Sequence, residues 1–385
     1  MHPARLPPVL WPLLFGNLVI GTGVMAVPGT LNQISESLQV STATAGQLIS
    51  AGALLMCVGA PMFATLVAGW DRRRLLTACM LWYAVFHLLS ALMPEFGSLL
   101  GVRVLALVAP AIFTPQAAAC IGLLVPPAQR GRAVTFVFLG WSVASVLGMP
   151  LAALTGGLFG WRSAFLLVAL CAAASALWVW RAMPDGIKPD PLSRAAWGKA
   201  LQSPALMLCV LVTALYSAGQ FVLFSYFAPY FKTRLGVSPL ELSALLAWFG
   251  VFGFVGNVWV SRHIDRLGAA RSVGMAIACM VLSMAAWPMG QTPLLAALVM
   301  IPWALGCFAS NSAQQARLLE IAPALATASI AMNTSAMYAG QALGAAGGGW
   351  LITRGHMAYL SYAGTVVLLS ALLTSGIASR AKREN

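Results

Sequence analysis

Carboxylates are scarce in this chain. Nine Asp and Glu stand among 385 residues, against 22 Lys and Arg, and charged residues of all kinds make up 8%. Soluble domains carry about 25%, so a water-facing globular fold is excluded. The nine acids (Glu36, Asp71, Glu95, Asp185, Asp190, Glu241, Asp265, Glu320 and Glu384) all fall between apolar segments or at their ends. Proton-coupled carriers usually bury an Asp or Glu that titrates during the cycle, and no acid here sits deep in an apolar segment. Signals of catalysis are missing too. The four histidines (His2, His87, His263 and His356) are scattered, and no HExxH, GxSxG or Cys/His cluster occurs, so the sequence implies no enzyme, no metal site and no cofactor. The seven cysteines lie inside apolar segments without metal-ligand spacing, and none stands in a loop where a disulfide could form. They read as small buried hydrophobes. No polar segment is long enough to form a soluble output domain, which argues against a non-transporting sensor.

What the chain has is apolar length. Hydrophobic residues make up 60%, and a helix needs roughly 20 of them in a row to cross a bilayer. Twelve segments qualify: 9–34, 44–69, 75–94, 98–124, 133–158, 163–181, 204–231, 239–261, 272–290, 293–318, 323–353 and 358–379. The first is too long for a signal peptide and lacks a small-residue cleavage site, so it reads as an uncleaved span. Residues 182–203 form the one sizeable loop. Pro184, Pro189 and Pro191 open it, and SRAAWGKALQ follows, either as a plain connector or as a short amphipathic helix anchored on the membrane surface by Trp197. The expected fold is therefore all-α, with twelve transmembrane helices. A bundle at 1–181 and a second at 204–385 are joined by the loop 182–203.

The basic residues orient these spans. With a cytoplasmic N-terminus, the inner loops hold seventeen: Arg5, Arg72, Arg73, Arg74, Arg130, Arg132, Arg181, Lys188, Arg194, Lys199, Arg262, Arg266, Arg271, Arg317, Arg380, Lys382 and Arg383. The outer loops hold only Arg162, Lys232, Arg234 and Arg354. This bias places both termini in the cytoplasm. A net charge of +13 would point to nucleic acid in a soluble chain. Here it marks the inner membrane face, and no nucleic-acid partner is expected.

Small residues recur at fourfold spacing. Gly140, Ala144, Gly148, Ala152, Gly156 and Gly160 make one bare helical face in the fifth segment; Ala336, Gly340, Gly344 and Gly348 do so in the eleventh. In lipid such a face permits close helix approach. Gly59 precedes Asp71-Arg72 by twelve residues, and Gly253 precedes Asp265-Arg266 by the same interval. Matching features in the second and fifth span of each half indicate an internal repeat, hence two pseudo-symmetric six-helix bundles. The paired stripes are expected where one bundle slides on the other.

Together, LGMPLAALTGGLFGWRSAF, NSAQQARLLEIAP and NTSAMYAGQALGAAGGG resemble the major facilitator superfamily. The nearest likeness is to its twelve-helix drug and sugar efflux branch, of the arabinose efflux permease and drug:proton antiporter type. Gly140, Gly148, Pro150, Gly156 and the trailing Gly160-Trp161-Arg162 match that branch's fifth-helix motif. Two stretches depart from it. The loop after the second helix usually reads G-x-x-x-D-R-x-G-R-[KR], but here VAGWDRRRLL puts Ala68 at the usual acidic position, with Asp71 one turn on. The fourth-helix motif, roughly R-x-x-x-G-x-G, keeps Arg103 but loses its glycines in RVLALVAP. The second loop copy, HIDRLGAAR, keeps Asp265, Arg266 and Gly268.

The resemblance implies a major facilitator fold and secondary active transport by alternating access in the cytoplasmic (inner) membrane. It implies efflux of a small organic compound by proton antiport, with protons as coupling ion and a monomer in the lipid bilayer. An uptake or facilitated-diffusion permease of the same fold is the alternative. Helices 1, 4, 7 and 10 would line the cavity, which makes Asn17, Thr114, Gln116, Tyr216, Gln220, Phe224, Asn311, Gln314 and Gln315 candidate substrate contacts. Their mix of amides and aromatics suits a neutral or weakly polar molecule; interhelical hydrogen bonding is the competing role for the amides. Arg103, the lone cation well inside a span, is a further substrate-binding candidate that could hold an anionic substrate or take part in a proton relay, or it snorkels outward. Asp71, Arg72, Arg73, Asp265 and Arg266 are candidates for a latch that biases a two-state motion, or they simply hold loops inside. If protons are coupled, Glu36, Glu241, His87 or the substrate itself must carry them.

Overall fold

The computed structural model describes residues 7–67, 69–126, 130–188, 194–322 and 325–381. Among them the ordered elements are helical, with no strand. In chain order they are α1 (Leu10–Ser37), α2 (Thr42–Leu66), α3 (Arg72–Leu92), α4 (Phe96–Ala106), α5 (Val108–Leu124), α6 (Arg130–Val143), α7 (Met149–Phe159), α8 (Trp161–Ala182), α9 (Arg194–Leu201), α10 (Pro204–Phe224), α11 (Phe227–Leu235), α12 (Pro239–Leu267), α13 (Ala269–Ala286), α14 (Pro293–Ile321), α15 (Ala326–Thr353) and α16 (Leu360–Ala381). Three expected spans are interrupted: α4 gives way to α5 at Leu107, α6 joins α7 through a π-turn at Ala144–Gly148, and α10 gives way to α11 near Ser225.

Eleven helical segments are long and apolar enough to cross a membrane. The expected twelfth, α15, has sufficient length at 28 residues and carries no charge, but its Gly, Ser, Asn and Gln lower its hydropathy. The reason is its position. It packs chiefly between α2 and α10, with protein on two sides, so it needs fewer lipid-facing aliphatics than its neighbours.

Local sequence sets the helix starts in the second half. Ser203-Pro204, Ser238-Pro239 and Thr292-Pro293 each place a hydroxyl at the N-cap and proline just inside. The hydroxyls accept from the N–H groups of Leu206, Glu241 and Leu295, satisfying donors that the helix leaves open. Gly160 and Gly268 join consecutive helices without a loop. Their φ angles of 85° and 80° lie where an L side chain is strained.

The two stripes do not form the seam between the bundles, as expected above; each packs inside its own half. A side chain at Gly140 would collide with the backbone of Leu14 and Leu18 and with Asn17 on α1. One at Gly340 would collide with Ala214, Ser217 and Ala218 on α10. Gly148 lies on Thr22 and Gly348 on Val222. Every member of these matched pairs is 200 residues from its counterpart, so the repeat is one of packing geometry. Gly344 closes on Ala218 in the same row, and Gly156 on Thr30. The seam uses other faces: α2 packs on α15, and α12 packs on α6, α7 and the π-turn between them. There Gly250 of α12 lies against the backbone of Ser145 and Val146, and Ser243 donates to the Pro150 carbonyl at 3.0 Å.

The loop after α8 is tied down at both ends. Asp71 caps α3 by accepting from Arg74 N–H at 3.1 Å, and it also accepts from Gly186 N–H at 2.7 Å. Arg73 pairs with Asp185 at 2.8 Å, donates to the Trp180 carbonyl at 2.7 Å and lies over the Trp180 ring. Farther along, of the two readings of this stretch the helix is the one found, as α9, but it docks on protein: Ala200 is buried with Leu206, Cys209, Leu318 and Ala328. Arg317, counted above with the inner loops, lies buried within α14 and donates to Ser375 and Ser379 of α16. The side chains of Asp265, Trp197, Arg130, Arg132, Arg194 and Arg380, and residues Arg5, Lys382 and Arg383, lie outside the described set.

Candidate functional site

A cavity of about 520 Å³ lies between the two halves. Its walls come from the middle of α1, α2, α5, α6, α10, α12, α14 and α15, and they run toward the end of the bundle that carries Arg72. At the opposite end the halves meet. Glu36 of α1 forms an ion pair with Lys232 of α11, and the Gly46 backbone lies against the Tyr226 hydroxyl. That hydroxyl donates to the Ala345 carbonyl at 2.8 Å.

Eight of the ten candidates, Arg103 included, line the cavity: Arg103, Thr114, Gln116, Tyr216, Gln220, Phe224, Asn311 and Gln315. Asn17 and Gln314 do not; both are fully buried in helix contacts. Asn17 accepts from Thr114 at 2.8 Å and donates to the Val137 carbonyl at 3.2 Å, tying α1 to α5 and α6. Gln314 donates to the Cys209 carbonyl on α10. For these two, interhelical hydrogen bonding is the role the geometry gives.

The second half supplies most of the polar wall. Thr213 donates to Asn333, which donates in turn to Asn311 at 3.3 Å. Gln220 accepts from Trp303 at 3.3 Å and from Cys307 at 3.1 Å. Ser312 donates to Asn257 at 2.7 Å. Sequence reasoning missed Asn257, Ser312, Thr334, Tyr338 and Gln341, which also line the cavity. A signal existed for the last three. They fall at i, i+4 and i+7 on α15, with Thr334 and Tyr338 turned away from the small-residue row. Aromatic rings back this wall. Phe224 lies 5.1 Å from Phe221, 5.2 Å from Phe227 and 5.7 Å from Phe249, ring centre to ring centre.

The first half supplies charge. Arg103 is 2% exposed. Its guanidinium donates to the Gly23 carbonyl at 2.8 Å and approaches His87 Nε2 at 3.1 Å. Arg103 and Arg72 are the charged residues on the wall, and no carboxylate lines it among the described residues. Arg72 donates to the Val67 and Trp70 carbonyls at 3.1 and 2.8 Å, closing the end of α2. Trp141 and Ser217 also line the cavity, while their Nε1 and Oγ atoms are buried without a hydrogen-bond partner.

The described acids stand elsewhere. Partial burial pushes the Asp71 carboxyl up, but N–H groups of Arg74, Gly186 and Arg73 and the Arg74 charge outweigh it and hold the group below its ordinary value. Bonds from the Ser238 backbone and hydroxyl hold Glu241 low in the same way, within a capping box. Arg266 is exposed.

A sequence profile described as Major Facilitator Superfamily matches residues 13–345. The chain is 33% identical over 352 residues to a chloramphenicol resistance protein of Streptomyces lividans, covering 88% of each. It is 28% identical over 376 residues to the inner membrane transport protein YdhP of Escherichia coli (strain K12), covering 97% of this chain and 96% of that one. Among solved structures, a D-xylose–proton symporter superposes with a TM-score of 0.75 at 18% identity, over 95% of this chain and 96% of that one.

Proposed function

We propose that this chain, which belongs to the Major Facilitator Superfamily and is a multi-pass membrane transporter, exports a small, uncharged, aromatic and acceptor-bearing compound by proton antiport. The bundle at 1–181 and that at 204–385 rock about the cavity, and both termini lie in the cytoplasm of a cell whose inner membrane holds the protein. The observation that carries the reading is the cavity itself. It reaches toward the basic end while the Glu36–Lys232 end is closed, which is the state that would load a compound from the cytoplasm.

The wall supports the substrate class. An organic cation would meet Arg103 and no opposing carboxylate among the described residues, whereas the amides of Gln220, Asn311 and Gln315 on the wall suit the acceptor atoms of an uncharged compound. Rings around Phe224 supply flat apolar contact. Relatives named for chloramphenicol resistance make that compound the first probe.

Inside-out vesicles containing the protein should accumulate labelled chloramphenicol when their lumen is acid, and a protonophore should abolish the accumulation. Entry that stops at equal concentrations and ignores the pH gradient would support a facilitating permease and overturn the antiport reading.

A further inference from the structure

His87 and Arg103 form a contact that the export reading leaves unused. His87 is fully buried in α3. Its Nδ1 lies 2.9 Å from the Tyr83 carbonyl oxygen. A carbonyl only accepts, so Nδ1 carries the ring hydrogen. Nε2 then presents a lone pair, and the Arg103 guanidinium donates to it at 3.1 Å. The imidazole is therefore neutral in this arrangement, with its basic nitrogen occupied by a cation.

We propose that His87 is the proton-binding group of the transport cycle, and that its proton and the substrate exclude one another through Arg103. The proposal rests on the export reading. A proton taken up at Nε2 consumes the lone pair and turns that nitrogen into a donor. Two donors, each on a cation, then face each other across a short gap in apolar surroundings, and one must leave. His87 is held. The Tyr83 ring lies 4.1 Å from its own, the Phe165 ring 5.8 Å, and Gly23 of α1 leaves no room for a side chain. Arg103 has a long stem and already lines the cavity. Its released guanidinium enters the cavity, where it takes the polar space a substrate would use and makes the site hostile to an uncharged aromatic. Loss of the proton restores the bond and clears the cavity. Mutual exclusion of proton and substrate is what obligatory exchange requires.

The groups around the imidazole are few. From α3 itself comes Tyr83, whose hydroxyl donates to the Ile20 carbonyl, and from α4 comes Arg103. On α5 the one titratable side chain is Cys120, which lies toward Arg72. On α8 they are Arg162, tied to the Met93 carbonyl and Ser37, Cys171 and the exposed Arg181. On α1 the only charged side chain is Glu36, paired with Lys232.

Two measurements on the full-length protein test this. In potentiometric titration of detergent-solubilised protein taken from alkaline to acid pH, wild type should take up about one proton more than His87→Gln. Superimposed curves for wild type and His87→Gln overturn the proposal. In vesicles, His87→Gln keeps an acceptor for Arg103 but cannot take the proton. It should retain chloramphenicol counterflow in the absence of a gradient and lose about tenfold in gradient-driven accumulation. Full gradient-driven accumulation by His87→Gln also overturns the proposal. Absence of counterflow in wild type overturns the export reading instead, and the titration still decides the proton site.

Discussion

The two halves share a scaffold and differ in chemistry. In each, a small-residue row lets one helix close on the first helix of its own half, Gly140 over Asn17 and Gly340 over Ser217. At this matched position the polar wiring diverges. In the first half, Asn17 serves α1, α5 and α6, while two cations stand on the wall: Arg103, held by His87 and a backbone carbonyl, and Arg72, held by the Val67 and Trp70 carbonyls. In the second half no buried cation enters the cavity wall among the described residues; a chain of amides and hydroxyls, Thr213–Asn333–Asn311, and the Gln220 cluster take its place. Packing is thus set twice by the same backbone approach, and chemistry is placed once. On the export reading proposed above, electrostatic control belongs to one half and shape-and-hydrogen-bond recognition to the other.

That division can be broken at several strengths. The largest effect should come from the shared scaffold. Gly140→Leu and Gly340→Leu each push a side chain into neighbouring backbone and should each cost about 3 kcal/mol or more. Both should fail to give monodisperse protein in size-exclusion chromatography; tolerance of one and not the other would end the claim of equivalent packing. Next comes the chemical asymmetry. Arg103→Met should reduce chloramphenicol transport about a hundredfold, and Asn311→Ala only about tenfold, as measured by initial rates in vesicles. Equal losses would erase the division of labour. Smaller still, Thr114→Val and Thr213→Val each leave a buried amide oxygen short of one donor, and each should lower thermal stability by about 1–2 kcal/mol.

The smallest effect is at Asp71. Its carboxyl is held below its ordinary value, so its contribution to stability is present above the unfolded value of about 3.9 and is lost as pH falls through the lower folded value. Asp71→Asn should flatten the acid limb of the melting-temperature profile and leave neutral pH little changed.

The sequence made much of this architecture legible because membrane physics leaves few options. Apolar length has few structural solutions in lipid, and the spans were readable for that reason. The family resemblance named helices 1, 4, 7 and 10 as the cavity wall; they do line it, but residues of α2, α6, α12 and α15 line it as well. Which side of a helix faces the cavity was not readable. Asn17 and Asn311 are both amides on cavity helices, yet only Asn311 reaches the space, because rotation about the helix axis is set by packing partners. The place of the stripes was misread for a related reason. Small residues announce close approach but do not name the neighbour, and α1 and α10 proved to be those neighbours rather than the opposing bundle. The polar face of α15 went unread because its glycines drew attention to the other side.

Arg103 has a further consequence. A guanidinium buried without a carboxylate is a fixed charge in the electric field of an energised membrane, which acts with about 2.3 kcal/mol per 100 mV on a unit charge that crosses it fully. Any rocking of the first half carries this charge through part of that field. On the export reading proposed above, the cycle is then sensitive to voltage even when its cargo is uncharged, and the energised membrane tilts the balance between inward-open and outward-open forms before any substrate arrives.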